Sequence, residues 1–157
     1  MNEIKNAAIA FFTIKNNKIN RLLILQLAYG RYNYYWWTPG GKLNENEDPY
    51  IGAKREFKEE VGVKIDETKI LKIGYVDSDN TRIFWILSRQ KFFWVNLQKM
   101  EIRKHHFKKI DIPFLKHIFS WEKYFYISKY GNVECEMTNY SKKSLQKIFL
   151  NIFFNWI

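Results

Sequence analysis

The stretch that decides the fold of this chain is residues 38–63, TPGGKLNENEDPYIGAKREFKEEVGV. It gathers acidic residues in a chain of 157 residues whose formal net charge is +10. Eight of the 16 Asp and Glu residues lie at positions 43–67, whereas residues 97–130 carry eight Lys or Arg against three acids. This segregation predicts an acidic centre with basic surroundings.

A helix is predicted over about residues 49–61 of this stretch. Asp48 can cap its start, Pro49 suits the first helical position, and Gly62 suits the exit. At 100 degrees per residue, one face of the helix is apolar and can pack on a sheet. That face carries Tyr50, Ala53, Phe57 and Val61.

Three glutamates, Glu56, Glu59 and Glu60, share another arc of the helix. Glu56 and Glu60 are like charges four residues apart, an arrangement that costs an isolated helix about 0.2–0.5 kcal/mol, so a positive group is expected beside them. A solvated acidic face would explain the arc but not Gly40 and Gly41, which can bend the backbone so that a carbonyl approaches a ligand. Oxygen ligands without His or Cys suit Mg²⁺ or Mn²⁺.

Gly41, Glu47 and the run REFKEEVGV at residues 55–63 together resemble the complete Nudix box of the Nudix hydrolase superfamily, in its MutT-like form. Trp36 and the turn at residues 39–41 also resemble the usual approach to that box. The resemblance implies an α/β fold, a Nudix-type α/β/α sandwich with a mixed, curved β-sheet and the catalytic loop–helix motif. We expect residues 1–157 to form one such domain.

The resemblance also implies roles for the residues of the box. Glu56, Glu59 and Glu60 would bind the metal with the backbone carbonyl of Gly40, and Glu56 is in addition a candidate base for the attacking water. Arg55 and Glu47 would orient the loop and the helix through an ion pair.

Two residues are candidates for substrate contact. Lys42 lies just past the turn and can approach phosphate oxygens, although a solvated lysine is an equal interpretation. Trp37 belongs to an aromatic group that can include a base-stacking platform, although a core position is the alternative for each member. The other members are Tyr34, Tyr35, Trp36, Trp85 and Trp94.

Many family members add a carboxylate from a later loop, about six residues before an aromatic that precedes the last helix. Glu134 stands six residues before Tyr140, so it is the candidate for a further metal ligand, and Glu136 is its rival. Two exposed strand glutamates are the alternative. Ser141 is the predicted cap of the last helix, which covers SKKSLQKIFLNIFFNW.

The function implied by the resemblance is hydrolysis of a nucleoside diphosphate linked to another group, with Mg²⁺ or Mn²⁺. Residues 78–81 lack the proline or tyrosine typical of enzymes acting on ADP-ribose or dinucleoside polyphosphates. Cleavage of a nucleoside triphosphate to the monophosphate and pyrophosphate is therefore the leading prediction. Three alternatives stay open. They are decapping or pyrophosphohydrolysis at RNA 5′ ends, suggested by the basic residues 97–130, hydrolysis of dinucleoside polyphosphates or ADP-ribose, and a non-catalytic nucleotide-binding module.

The remaining sequence predicts strands. AAIAFFTIK and INRLLILQLA flank the turn KNNK and predict a hairpin, and KILKIGYV, TRIFWILSR and KFFWVNL predict strands after the helix. Residues 98–132 are ambiguous and resemble an insertion. The start lacks a signal-peptide pattern, no segment predicts a membrane span, and one cysteine suits a reducing compartment, so the cytoplasm is expected. The sequence leaves open whether the chain forms a homodimer.

Overall fold

The chain begins with an antiparallel hairpin, as predicted. The computed structural model describes residues 3–27, 36–92, 102–119, 124–127, 133–137 and 139–156. Strands β1 (Asn6–Lys15) and β2 (Lys18–Leu27) form the hairpin. Asn16 and Asn17 join them with φ angles of 53° and 61°. A two-residue turn with both φ angles positive matches the right-handed twist of the strands, which is why the two asparagines suit it.

The other elements follow the predicted order of strands, helix, strands and helix. They are β3 (Trp36–Trp37), β4 (Gly40–Lys42), α1 (Pro49–Val61), a 3₁₀ turn (Glu67–Lys69), β5 (Ile70–Ser78), β6 (Thr81–Ser88), β7 (Ile102–Lys109), α2 (Ile112–Ile118), β8 (Tyr124–Ile127), β9 (Val133–Glu136) and α3 (Asn139–Trp156). Among the described residues, none of these helices combines the length and hydropathy that crossing a bilayer requires.

Among the described residues, the main sheet is mixed and has seven strands. Along its path the order is β3-β2-β1-β6-β5, with β1 and β6 parallel and the other neighbours antiparallel. Strands β1 and β2 pair only near their hairpin, and β4 pairs with the start of β1 while β3 pairs with the end of β2. The two long strands therefore diverge, and residues 36–42 fill the gap between them.

Alternate residues of the central strands enter two separate cores, one on each face of the sheet. On one face, Ile9 and Phe11 of β1 pack with Phe57 of α1. On the other face, Phe12 of β1 packs in a cluster with Leu145 of α3 and with residues of α2. The helices thus form two layers around the sheet, which confirms the α/β/α sandwich expected from the sequence.

The predicted limits of α1 are confirmed. The carboxylate of Asp48 accepts hydrogen bonds from the backbone N–H groups of Tyr50 and Ile51, and Pro49 is the first helical residue. Gly62 ends the helix with φ 77°, a left-handed conformation that glycine adopts without strain. The predicted cap of the last helix was wrong, because Ser141 lies inside α3, two residues after its first residue.

Residues 89–119 differ from expectation in two ways. Strand β6 ends at Ser88, and residues 89–92 lie outside strands, so the described start of the predicted strand KFFWVNL is not extended in a sheet. The remainder of that segment lies outside the described residues. Strand β7, in the stretch that resembled an insertion, pairs with β2 over residues 21–27 and is part of the main sheet.

The subfamily positions at residues 78–81 form the turn between β5 and β6. Ser78 pairs with Thr81, and Asp79 adopts a φ of 53°. The carbonyl of Asn80 accepts hydrogen bonds from the N–H groups of Lys5 and Asn6. These residues therefore anchor the beginning of β1 to the β5–β6 turn.

The hairpin turn yields the first prediction. Asn17→Ala should lower the free energy of unfolding by about 1 kcal/mol, because alanine disfavours the left-handed region, whereas Asn17→Gly should leave it equal or higher. Urea denaturation measures both variants. Asn44→Ala is the matched control, since Asn44 is exposed and has no positive φ. Equal stability of the Asn17→Ala and Asn17→Gly variants would contradict the turn.

Candidate active site

Strand β4 lies close to β1 and α1 at two glycines, and a side chain at Gly40 would meet the β1 backbone while one at Gly41 would displace the Glu56 carboxylate. A Cβ added at Gly40 would lie 2.5 Å from the Cβ of Ala8 in β1. A Cβ added at Gly41 would lie 2.5 Å from Cδ of Glu56 in α1. Neither glycine has a positive φ, so the expectation that they bend the backbone is corrected: they allow close approach of strand and helix.

The three glutamates of the α1 arc differ in burial. Glu60 is 5% exposed, and its Oε1 accepts a hydrogen bond of 3.2 Å from the N–H of Gly40. The Glu56 side chain is 8% exposed and lies against Gly41, while the Glu59 side chain is 44% exposed. Two carboxylates thus line the contact between α1 and β4, and the third lies toward solvent.

Arg55 supplies the positive charge expected beside these carboxylates. Its Nη1 donates to Oε1 of Glu56 at 2.9 Å and to Oε1 of Glu59 at 3.3 Å. Its Nε and Nη2 donate to the two carboxylate oxygens of Glu47, both at 2.9 Å, and Nη2 also reaches the carbonyl of Lys42 at 3.1 Å. One guanidinium therefore joins the strand, the loop and the helix, and the predicted ion pair with Glu47 is present.

Glu47 is held by the loop as well as by Arg55. Its Oε1 accepts the backbone N–H of Asn44 at 3.0 Å. The Arg55 hydrogen bonds, followed by that of Asn44, lower the pKa of Glu47 from 4.5 to about 2. The same hydrogen bond with Glu47 raises the pKa of Arg55. The ion pair therefore persists far into the acid range.

Gly52 is a site residue that the sequence interpretation missed. A Cβ at this position would lie 2.3 Å from Cδ2 of Leu43 and 2.7 Å from Oε1 of Glu47. Its absence allows the loop carboxylate to lie directly on the helix. A glycine in the interior of a predicted helix was the available signal, because glycine costs a helix about 1 kcal/mol relative to alanine unless packing requires it.

The potential metal ligands around β4 and α1 are of the type that a hard divalent cation prefers. They are carboxylate oxygens and a backbone carbonyl, without sulfur or imidazole. Within the described part of the chain, however, His, Cys, Asp and Glu side chains do not come together in groups of three at metal-binding geometry. The oxygens of Glu56 and Glu59 are instead drawn toward Arg55.

The two candidate substrate residues lie in different environments. Lys42 is exposed at the end of β4. Trp37 is half-buried, packs on the core that contains α3, and contacts the ring of Tyr140 at 6.4 Å between centroids. Of the other aromatic candidates, Trp36 and Trp85 are core residues, while Tyr34, Tyr35 and Trp94 lie outside the described residues.

The candidate carboxylates beyond the box lie on β9. Glu134 and Glu136 pair with Tyr126 and Tyr124 of β8 in a separate two-stranded sheet. Their side chains lie outside the described part of the structure, so the choice between them stays a prediction. The aromatic residue Tyr140 lies inside α3 rather than before it, and its hydroxyl donates to the carbonyl of Ser78 at 3.2 Å.

The loop–helix geometry agrees with the comparison of the chain with known proteins. A sequence model described as the NUDIX domain matches residues 5–94, more than half of the chain. The chain belongs to the Nudix family. The match covers the Nudix box, the hairpin that precedes it and the strands β5 and β6 that follow.

One curated relative is named 8-oxo-dGTP diphosphatase and comes from Buchnera aphidicola. It is 34% identical to this Nudix chain over 76 residues, which are 47% of this chain and 58% of the relative. The matched segments span between 25% and 58% of the lengths of the curated relatives.

Solved structures share the fold at low sequence identity. A MutT/nudix family protein from Enterococcus faecalis aligns with a TM-score of 0.64 at 14% identity, covering 98% of this chain and 63% of that one. A bifunctional NMN adenylyltransferase/ADP ribose pyrophosphatase from Francisella tularensis, complexed with AMP and a Mn ion, aligns with a TM-score of 0.60 at 13% identity. That alignment covers 95% of this chain and 42% of that one.

The lowered pKa of Glu47 predicts how stability depends on pH. Because the folded-state pKa is about 2 against 4.5, the stabilisation by Glu47 is present above pH 4.5 and is lost as the pH falls toward 2. Glu47→Gln should therefore be less stable than the wild type at neutral pH, and the difference should shrink across that window. Urea denaturation at a series of pH values measures it, and a difference that is independent of pH would contradict the ion pair.

Proposed function

We propose that this Nudix domain hydrolyses the diphosphate linkage of a nucleoside triphosphate, releasing the monophosphate and pyrophosphate, with Mg²⁺ or Mn²⁺ as cofactor. The observation that carries the proposal is the contact between α1 and β4. Glu56 and Glu60 are buried there against Gly40 and Gly41, and Glu59 extends toward solvent on the same helix. Arg55 compensates part of this negative charge, and a divalent cation bound by the same carboxylates would compensate more of it.

The metal would be held by the carboxylates of Glu56, Glu59 and Glu60 and by the carbonyl of Gly40. Nudix hydrolases generally use divalent metals. When bound, such an ion neutralises phosphate oxygens and lowers the pKa of water. The closeness of Gly41 to Glu56 supports this assignment, because a side chain at position 41 would displace the carboxylate.

Side chains of the protein would accept the proton and position the reacting groups. Glu56 would accept the proton of the attacking water, since its carboxylate lies between Gly41 and Arg55 and is shielded from solvent. Arg55 would orient Glu56 and Glu59, and Glu47 would hold Arg55. Lys42, exposed next to Gly41, would approach the phosphate oxygens of the substrate, and Glu134 would add a carboxylate from β9.

The curated relative supports a purine nucleoside triphosphate, including an oxidised one, as the first substrate class to test. The RNA alternative rests on basic residues 97–130, and one of them, Lys108, is 7% exposed and lies over the Phe114 ring at 5.6 Å. Part of this positive charge therefore lies in the core and is not available on the surface to bind RNA.

We propose in addition that residues 1–157 form a single domain and that the protein acts in the cytoplasm. The compartment is inferred because the chain has one cysteine.

Replacing one carboxylate tests the site. Glu59→Gln should lower kcat by about 10–100-fold or more, because it removes one charged ligand of the proposed metal, with little change in the unfolding transition because Glu59 is half exposed. Glu45→Gln, an exposed acid in the neighbouring loop, is the matched control and should retain wild-type turnover. Unchanged kcat in the Glu59→Gln variant would refute the proposed site.

A substrate panel tests the proposed class. With Mg²⁺ and with Mn²⁺, kcat/KM should be highest for a nucleoside triphosphate or its 8-oxo derivative, with pyrophosphate as the product. ADP-ribose, a dinucleoside tetraphosphate and 5′-triphosphorylated or capped RNA are the comparison substrates. Preference for RNA that declines steeply with salt would replace the proposal by the RNA reading, and binding without turnover of any member would indicate a non-catalytic module.

A further inference from the structure

The end of the main sheet opposite to β4 gathers basic residues. Strands β1, β6 and β7 end there, and β2 and β5 begin there. This cluster, the basic end, consists of eight residues from these strands and from the segments that follow α1 and β6. They are Lys15, Lys18, Arg21, Lys64, Lys69, Arg89, Lys91 and Lys109, and all of them except Arg21 are exposed.

The hairpin turn forms the centre of the basic end. Lys15 and Lys18 are paired on either side of the turn, so their side chains lie on the same face. Nη2 of Arg89, which follows β6, donates to Oδ1 of Asn17 in the turn at 3.3 Å. Three cations from two distant segments are therefore neighbours at this point.

Backbone contacts extend the basic end toward the end of α1. The N–H of Arg89 donates to the carbonyl of Lys69 at 3.0 Å. The side chain of Gln90 donates through Nε2 to the carbonyl of Lys64 at 2.9 Å. The segments that carry these lysines are thus held beside the end of β6.

Arg21 and Lys109 extend it along β2 and β7. They are paired, and each is two residues from a member of the pair Leu23 and Phe107. Leu23 and Phe107 pack with the core on the α1 side of the sheet. Because side chains alternate between the two faces of a sheet, Arg21 and Lys109 lie on the α1 side as well.

Little negative charge compensates these cations. Within the described residues, none of the eight forms a salt bridge. The acids of the neighbouring segments have other partners: Asp66 caps the 3₁₀ turn, Glu67 pairs with Lys54, and Asp111 accepts the N–H of Phe114. The basic end therefore presents an excess of positive charge to solvent.

The hairpin of the basic end is remote from the candidate active site. Ala8 of β1 pairs with Gly40, and Lys15 is seven residues further along the strand, about 23 Å away. This distance exceeds the Debye length of about 10 Å at 0.1 M salt. A ligand of the hairpin would therefore bind independently of the site on α1.

We propose that the basic end binds the phosphate backbone of a nucleic-acid duplex, without regard to base sequence. The proposal goes beyond the proposed hydrolysis and does not depend on it. A duplex carries one negative charge per about 1.7 Å of its axis, and adjacent Lys and Arg side chains complement that density. Binding would release counterions from the duplex, which supplies its free energy.

The side chains around these cations favour a duplex over two other polyanions. Single strands are bound by stacking of bases on aromatic rings, and the exposed Phe, Tyr and Trp residues of the described chain lie on β5, α2 and α3 instead. They are Tyr75, Phe119, Phe153 and Phe154. Lipid surfaces are bound by apolar side chains that insert below the headgroups, whereas the tip of the hairpin is Lys-Asn-Asn-Lys.

A salt titration tests the proposal. Fluorescence anisotropy of a labelled DNA duplex of about 20 base pairs, with EDTA present, should give a binding constant that falls linearly with salt on logarithmic axes. The double variant Lys15→Gln/Lys18→Gln should reduce the magnitude of that slope by about 2, because two phosphate contacts are lost. Its Kd at 0.1 M salt should rise by about 10–100-fold.

The matched control is Lys5→Gln/Lys143→Gln, which removes the same charge from two exposed lysines near the opposite end of the sheet. Lys5 donates its N–H to Asn80 of the β5–β6 turn, and α3 contacts Ser78 of that turn close to Lys143. The control should keep the wild-type Kd and slope. Circular dichroism and the thermal transition establish that both double variants are folded.

Two further measurements separate the basic end from the active site. Glu59→Gln should bind the duplex as the wild type does, and a saturating nucleoside triphosphate should not displace the duplex. Absence of duplex binding by the wild type at low salt, equal losses in the two double variants, or displacement by the nucleotide would overturn the proposal. Tighter binding of a single strand or of phosphatidylserine vesicles than of the duplex would overturn it as well.

Discussion

The ion pair between Arg55 and Glu47 is the interaction on which the arrangement of the site depends. It is bidentate, with both N–O distances 2.9 Å, and bidentate pairs restrict direction as well as distance. The remaining donor groups of Arg55 reach Lys42 of β4 and two glutamates of α1. Without this side chain, the loop between β4 and α1 would lose its main connection to the carboxylates of the helix.

The arrangement of the site also depends on three glycines, because they leave room for neighbouring groups. Gly40 and Gly41 let β4 insert between diverging strands and the helix, and Gly52 lets Glu47 lie on α1. A Cβ would meet the β1 backbone at Gly40 and would displace the Glu56 or Glu47 carboxylate at Gly41 and Gly52, so these glycines reflect contacts with other elements. Left-handed backbone conformation explains only Gly62, which ends the helix.

Local patterns predicted the elements whose limits depend on neighbouring residues. The bounds of α1 were predictable because Asp48, Pro49 and Gly62 act through their own backbone geometry. The cap at Ser141 was wrong because α3 begins earlier, and there Ser141 is buried and Ser144 donates to Ser78 of the β5–β6 turn. Strand β7 was not identifiable because its place in the sheet comes from pairing with β2, some eighty positions earlier in the chain.

By itself, the sequence determined the family, the loop–helix motif and the identity of the acidic residues on α1, because residue types and periods of 3.6 and 2 are local properties. The tertiary structure decided which glutamates are buried, that Arg55 contacts Glu56 and Glu59 as well as Glu47, and that β5 is left as an apolar edge. These features arise from packing and strand order, which bring together residues far apart in the chain and which no single segment encodes.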